Sequence, residues 1–180
     1  MMRHATCCVS FVLMAGSARA TTVVPADLAE LSRDARAIAV GRVASIAPRW
    51  IDDRRSIETL VTLDVDRYLK GDLGEALQFR TPGGRIGALR SIMVGAPEFV
   101  VGQRVVVFLG ARGPSVPHLL GLGQGVYRVV QAAAGWLVTP PVLEAAAAGS
   151  TPIVRGDPAR RAVALDVFEE RVRRLTGGVR

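Results

Sequence analysis

Between Ser56 and Leu69 the chain alternates. Ile57, Thr59, Val61, Leu63 and Val65 hold one parity, and Glu58, Thr62, Asp64 and Asp66 hold the other. Successive side chains of a strand point to opposite faces, so this period of two predicts a long strand with one buried and one wet face. Leu60 is the one apolar residue on the second face. A sheet with a wet face is usually antiparallel.

The flanking segments supply the partners. Pro25 to Ala37 reads as a short helix, with Leu28, Leu31 and Ala35 on one face and Asp27 and Glu30 in its first turn, where the dipole favours negative charge. Ile38, Val40, Val43 and Ile46 suggest a strand, and the slip of alternation at Gly41 suggests a β-bulge. Arg49 to Arg55 reads as a polar connection holding Trp50 and the pair Asp52-Asp53. Lys70-Gly71-Asp72 ends the long strand, and Ala76 to Arg80 is a further short one. Thr81 to Gly87 reads as a glycine-rich loop, and Arg90 to Val94 as another strand. Arg104 to Leu109 is continuously apolar after its first residue, which predicts burial on both faces. Gly110 to Pro117 is a turn region. Gly125 to Val130 and Trp136 to Thr139 form a hairpin across Gly135.

Asp157-Pro158 reads as the cap and first residue of a last helix, with Leu165, Phe168, Val172 and Leu175 on one face and Gly177-Gly178 as its stop. Six to eight short strands between two helices make the chain mainly β, a β-rich α+β domain built as a small barrel or sandwich. Aromatics are only 5% of the 180 residues, so the core falls to Val, Leu, Ile and Ala. The expected organisation is a barrel domain with its helix over 21–139, a linker over 140–156 and the last helix over 157–176.

Residues 1–20 carry Arg3 and His4, then the apolar run Ala5 to Gly16, then Ala18-Arg19-Ala20. This is the layout of a Sec-type signal peptide cleaved after Ala20, and the run is too short to span a bilayer. The expectation is an exported chain, periplasmic or extracellular, with no transmembrane segment. Cleavage removes Cys7, Cys8 and His4, so His118 is then the only histidine and no disulfide forms. The net charge falls from +7 to +5 as Arg3 and Arg19 leave. A basic balance suggests an anionic partner. The arginines are spread along an exported chain, so nucleic acid is not expected.

Several short motifs resemble a family of uncharacterised exported bacterial proteins. They are Ala37-Ile38-Ala39-Val40-Gly41-Arg42-Val43, the stretch Leu63-Asp64-Val65 through Tyr68-Leu69-Lys70-Gly71, Pro82-Gly83-Gly84, Gly102-Gln103-Arg104-Val105-Val106-Val107-Phe108-Leu109 and Leu122-Gly123-Gln124-Gly125-Val126-Tyr127. Their order over Ala37 to Val130 is also similar to the netrin-like domains of tissue metalloproteinase inhibitors. That resemblance implies a five-stranded OB-type antiparallel barrel. Those inhibitors chelate a catalytic zinc through an N-terminal cysteine. The expected mature start here is Thr21 and no cysteine remains, so that device does not carry over.

Little chemistry is on offer. No serine sits in a G-x-S-x-G setting, and one histidine without cysteine builds no zinc site. No cofactor motif appears, and no metal site is expected. Asp64 and Asp66 share a strand face; a solvated face is the plain reading, and an acid/base pair or a hard-cation site the alternative. Gly83 and Gly84 suggest unusual backbone angles, bracketed by Arg80, Arg85 and Arg90, which would face an anionic partner if they converge. Trp50 in a loop suits protein or sugar contact. The expected function is therefore a non-enzymatic exported binding module. It presents the Trp50 and Thr81–Gly87 loops to an exported protein, such as a protease. The alternatives are an envelope-associated structural protein and, behind it, a carboxylate-dependent hydrolase.

Overall fold

The computed structural model describes residues 26–141, except 112, 114 and 134, and residues 161–177. The expected signal peptide, nearly all of the linker and the Asp157-Pro158 cap lie outside them.

Asp27 caps α1 (Leu28–Asp34), its carboxylate accepting from the Glu30 amide at 2.7 Å. The helix is shorter than Pro25 to Ala37 because the barrel claims its end. The Arg36 amide donates to Leu109 O at 2.7 Å, and Ala37 already pairs with Leu109 as the first residue of β1 (Ala37–Ile51). Lys70 closes the other side of that turn, its Nζ donating to Ser32 O and Arg33 O at 2.8 Å each. A cation there satisfies helix carbonyls that have no partner within the helix.

β1 runs through the turn Asp52–Arg55 into β2 (Ser56–Lys70), which pairs with β3 (Ala76–Pro82). A small hairpin follows, β4 (Gly84–Ile86) with β5 (Leu89–Ser91). Then come β6 (Arg104–Gly110) and β7 (His118–Leu119). β3 meets β7 in parallel through Arg80 and His118, β7 meets β6, and β6 returns to β1, so five strands close on themselves. Counting only those strands along the chain, the order around the barrel is 1-2-3-5-4 and back to 1. This is the OB-type Greek-key arrangement.

The long edge of β6 that faces away from β1 is shared. Its end pairs with β7, while Arg104–Val107 pair with β8 (Val126–Ala132). β9 (Gly135–Thr139) and β10 (Val163–Ala164) extend that flap, and α2 (Leu165–Gly177) packs over it. The last helix therefore begins later than expected: Val163–Ala164 are extended because they pair with Val138 and Leu137.

The barrel and the flap have separate cores on the two faces of β6. Val105, Val107 and Leu109 fill the barrel with Ala39, Val43, Val61, Leu63, Leu77 and Phe79. Val106 and Phe108 face outward onto Ile38, Val40, Leu31, Tyr127, Phe168 and Val172. Val40 and Val43 thus belong to different cores, which is why their spacing looked like a slip of alternation. A bulge does lie at Gly41, but the extra residue is Asp66 on β2: Val40 pairs with Arg67 and Gly41 with Val65. Glycine is required there, since a Cβ would stand 2.3 Å from Asp64 O. α2 is tied down by Arg67, whose Nε donates to the buried Glu169 at 2.8 Å, and the Glu169 bond in turn holds the Arg67 pKa above its ordinary value.

Two outcomes follow from this packing. Gly41→Ala forces the two long strands apart and is expected to cost about 1–3 kcal/mol in a urea titration; a change within 0.5 kcal/mol would refute the close approach. Tyr127 sits between Phe108 and Phe168, with ring centroids 5.5 and 4.9 Å away, and burial pushes its phenol from 10.0 up to about 12. A pKa raised on folding stabilises below the unfolded value and is lost on rising through the folded one. Stability is therefore expected to fall by roughly 2–3 kcal/mol between pH 10 and pH 12, and Tyr127→Phe removes that part of the slope.

Candidate functional site

The cleft with the richest set of side chains opens where the barrel stops being paired. Arg80 N donates to Pro117 O at 2.8 Å across the β3–β7 seam. Two residues on, the same edge of β3 is presented by Pro82, which has no N–H to give. The ladder ends, the strands part, and a cleft of about 330 Å³ lies between them at the end of the barrel where β1 turns into β2. Its walls are apolar at Ile57, Ile92, Met93, Leu119 and Leu122, and polar at Glu58, Arg80, Thr81 and His118.

Gly83 shapes one wall. Its φ is +89, and a Cβ would come within 2.9 Å of Ser91 O, so only glycine lets the chain after β5 pass so close. Its carbonyl accepts from Thr59 Oγ1 at 2.7 Å and its amide donates to Ile57 O at 2.9 Å. Gly84 lies against Thr59, Ile57 and Pro48, which seats the β4–β5 hairpin on the β1–β2 arm. The expected Thr81–Gly87 loop is therefore the end of β3, the joint Gly83, the short strand β4 and the turn residue Gly87, because β2 and β5 both offer partners.

Glu58 departs most from expectation. Read as wet, it is only 6% exposed. Arg49 Nε donates to its Oε1 at 2.7 Å, and Arg80 NH1 stands 4.0 Å from its Oε2. Burying a carboxylate requires such partners. Two guanidiniums face one carboxylate, so one positive charge is left over. Arg80 carries it: the side chain is nearly half exposed and donates no hydrogen bond among the described residues. Thr81 is 4% exposed, and its hydroxyl has no hydrogen-bond partner among the described residues.

Of the residues singled out by sequence, Arg80 and Gly83 line this cleft and Gly84 buttresses it. Trp50 is not in a loop. It is half-buried in β1 opposite Ile57, because the connection contracts to Asp52–Arg55. Arg85 and Arg90 face each other across the β4–β5 hairpin instead of joining Arg80. Arg90 donates to Glu98 Oε1 at 2.6 Å, and Arg85 Nε to Gly87 O at 3.1 Å. Asp64 and Asp66 are exposed outside the cleft, and Asp66 pairs with Arg104 at 3.2 Å. No group of three His, Cys, Asp or Glu able to hold a metal occurs among the described residues.

Sequence reasoning missed Glu58, Thr81 and the run Ile92-Met93-Val94. That run was read inside a strand, but pairing stops at Ser91, and Ile92 and Val94 are 71% and 72% exposed. Pro82 was the available signal: a proline ending a barrel strand marks where the wall must open.

The two cleft threonines behave oppositely. Thr59→Val strands the buried Gly83 carbonyl and is expected to cost about 1–3 kcal/mol. Thr81→Val removes a hydroxyl that has no partner and is expected to leave stability unchanged or raise it by about 1 kcal/mol in thermal denaturation. Equal losses from both would refute the assignment.

Compared with protein-family models and with curated proteins, the chain matches none.

Proposed function

We propose that this chain is an exported, non-catalytic binding module whose partner is another exported protein. The export part rests on the signal-peptide pattern of Met1 to Ala20. The binding part rests on one observation: Leu89, Ile92, Met93 and Val94, within six consecutive residues, are all exposed, beside the cleft at the end of β3. Single exposed aliphatics are ordinary on a protein surface; several together bordering a cleft characterise a contact face. The face lies on the segment inserted between β3 and β6, so a closed barrel holds it rigidly at its base while its tip is spared from the fold's own packing.

The netrin-like resemblance supports a protease as the kind of partner, although the cysteine-based wedge of those inhibitors has no counterpart here. The contact face of this proposal is the Ile92–Val94 segment with the neighbouring cleft, in place of the Trp50 loop.

The test compares the wild-type protein with the double substitution Ile92→Asp and Val94→Asp, each immobilised and exposed to the exported fraction of its own organism. One protein retained at near-equal stoichiometry by the wild type, and at least roughly tenfold less by the variant, is the expected result. Equal retention by both would place the contact elsewhere. Retention of membrane fragments alone, lost at high salt, would replace this reading with the envelope-associated one.

A further inference from the structure

The cleft has more chemistry than an apolar face needs. We infer that it reads the free carboxyl terminus of a polypeptide whose last side chain is apolar. This rests on the protein-binding reading above and names the part of the partner that enters.

Charge selects the carboxylate. Glu58, Arg80 and His118 are the ionisable residues in the lining, and Arg49 reaches Glu58 from outside it. Arg49 already satisfies Glu58 Oε1, while Arg80 is held 4.0 Å from Oε2, beyond hydrogen-bond distance. Its planar fork is free to make the bidentate pair that carboxylates favour. The Thr81 hydroxyl, without a partner among the described residues, lies on the inward face of β3 with Leu77 and Phe79, so Arg80 alone supplies the seat. An added anion would neutralise the surplus charge; an added cation would add to it.

Size and walls select what is attached. About 330 Å³ is near the lower limit of ligand pockets, room for a terminal residue and not for a large cofactor. Ile57, Leu119 and Leu122 offer an apolar side chain a dry seat. Ile92 and Met93 belong both to the cleft wall and to the exposed aliphatic run, so one continuous surface leads from the carboxylate seat outward. A free acid would use only the seat. A chain end would use the seat and then lay its preceding residues on that run.

The test is a titration of the purified protein with acetyl-Ala-Ala-Leu as the free acid, its carboxamide, and isocaproate, following the backbone amide signals of Arg80, Thr81 and Gly83 by NMR. The free acid is expected to bind roughly tenfold or more tightly than the amide, and more tightly than isocaproate. Arg80→Gln is expected to abolish the preference for acid over amide, and Arg174→Gln, on the outer side of α2, to leave it intact. Unfolding curves show whether Arg80→Gln retains the fold; if it does not, Arg80→Lys, which keeps the charge and loses the planar fork, should still narrow the preference for acid over amide. Equal binding of acid and amide, or no perturbation at about 10 mM, would overturn the inference. Isocaproate binding as tightly as the peptide would assign the site to free acids and overturn the chain-end reading. Each of these leaves the Ile92/Val94 retention experiment unaffected, so failure here is distinguishable from failure of the protein-binding reading.

Discussion

Everything in this structure hangs on the ladder between β1 and β6. Ala37 to Arg42 pair with Leu109 to Arg104 without a break, and Val105 to Leu109 have no solvent exposure on either face. One side of this wall closes the barrel; the other is the floor on which α1, α2 and the β8–β9 flap sit. Each of those side chains contributes on the order of 1.5–3 kcal/mol by burial. Separating the two strands would open the barrel and strip the helices of their seat at the same time. The clamps at the margin, Lys70 on α1 and Arg67 on Glu169 of α2, orient the helices on a surface that the ladder has already made.

The cleft follows from where this closure is weakest. A barrel needs every neighbouring strand pair, but β3 and β7 share a single residue pair, Arg80 with His118. Pro82 cannot extend it. The inserted hairpin leans on the β1–β2 arm beside the opening, and the chain leaving it, Ser91 to Met93, forms one wall, with Gly83 allowing the close approach. Glu58 lines the same opening with Arg49 bonded to it, and Arg80 stands half-exposed beside it. Architecture and site are one event: a strand pair that stops early, and a segment that leans over the gap.

The sequence was most legible where one face decided the outcome. The alternation in Ser56 to Leu69 marked β2 nearly to its ends, and the run Val105 to Leu109 marked the doubly buried strand. The Asp27 cap and the apolar face of the last helix were also readable, because caps and helical faces depend on neighbours within a turn or two. Glu58 was misread because its parity is that of a wet face. Its burial depends on Arg49, nine residues back, and on a neighbouring strand. Trp50 was misread because polar residues around it resembled a connection, while the strength of β2 as a partner drew Arg49 to Ile51 into the ladder.

The pattern of residues along the chain by itself determined that this protein is β-rich, that its clearest strand patterns lie in β2 and β6, and that helices flank them. These are consequences of local periodicity and of how much apolar surface each segment must hide. Only the tertiary structure decided which arginine stands beside a buried carboxylate without hydrogen-bonding it, which carboxylate is covered and which aliphatic residues stay in water. Those depend on distances between residues far apart in sequence, set when the ladder closes, and Arg80, Arg85 and Arg90 look alike until it does. The physical reason is that burial and charge pairing are properties of an enclosed space, and the chain encloses it only after the strands have met.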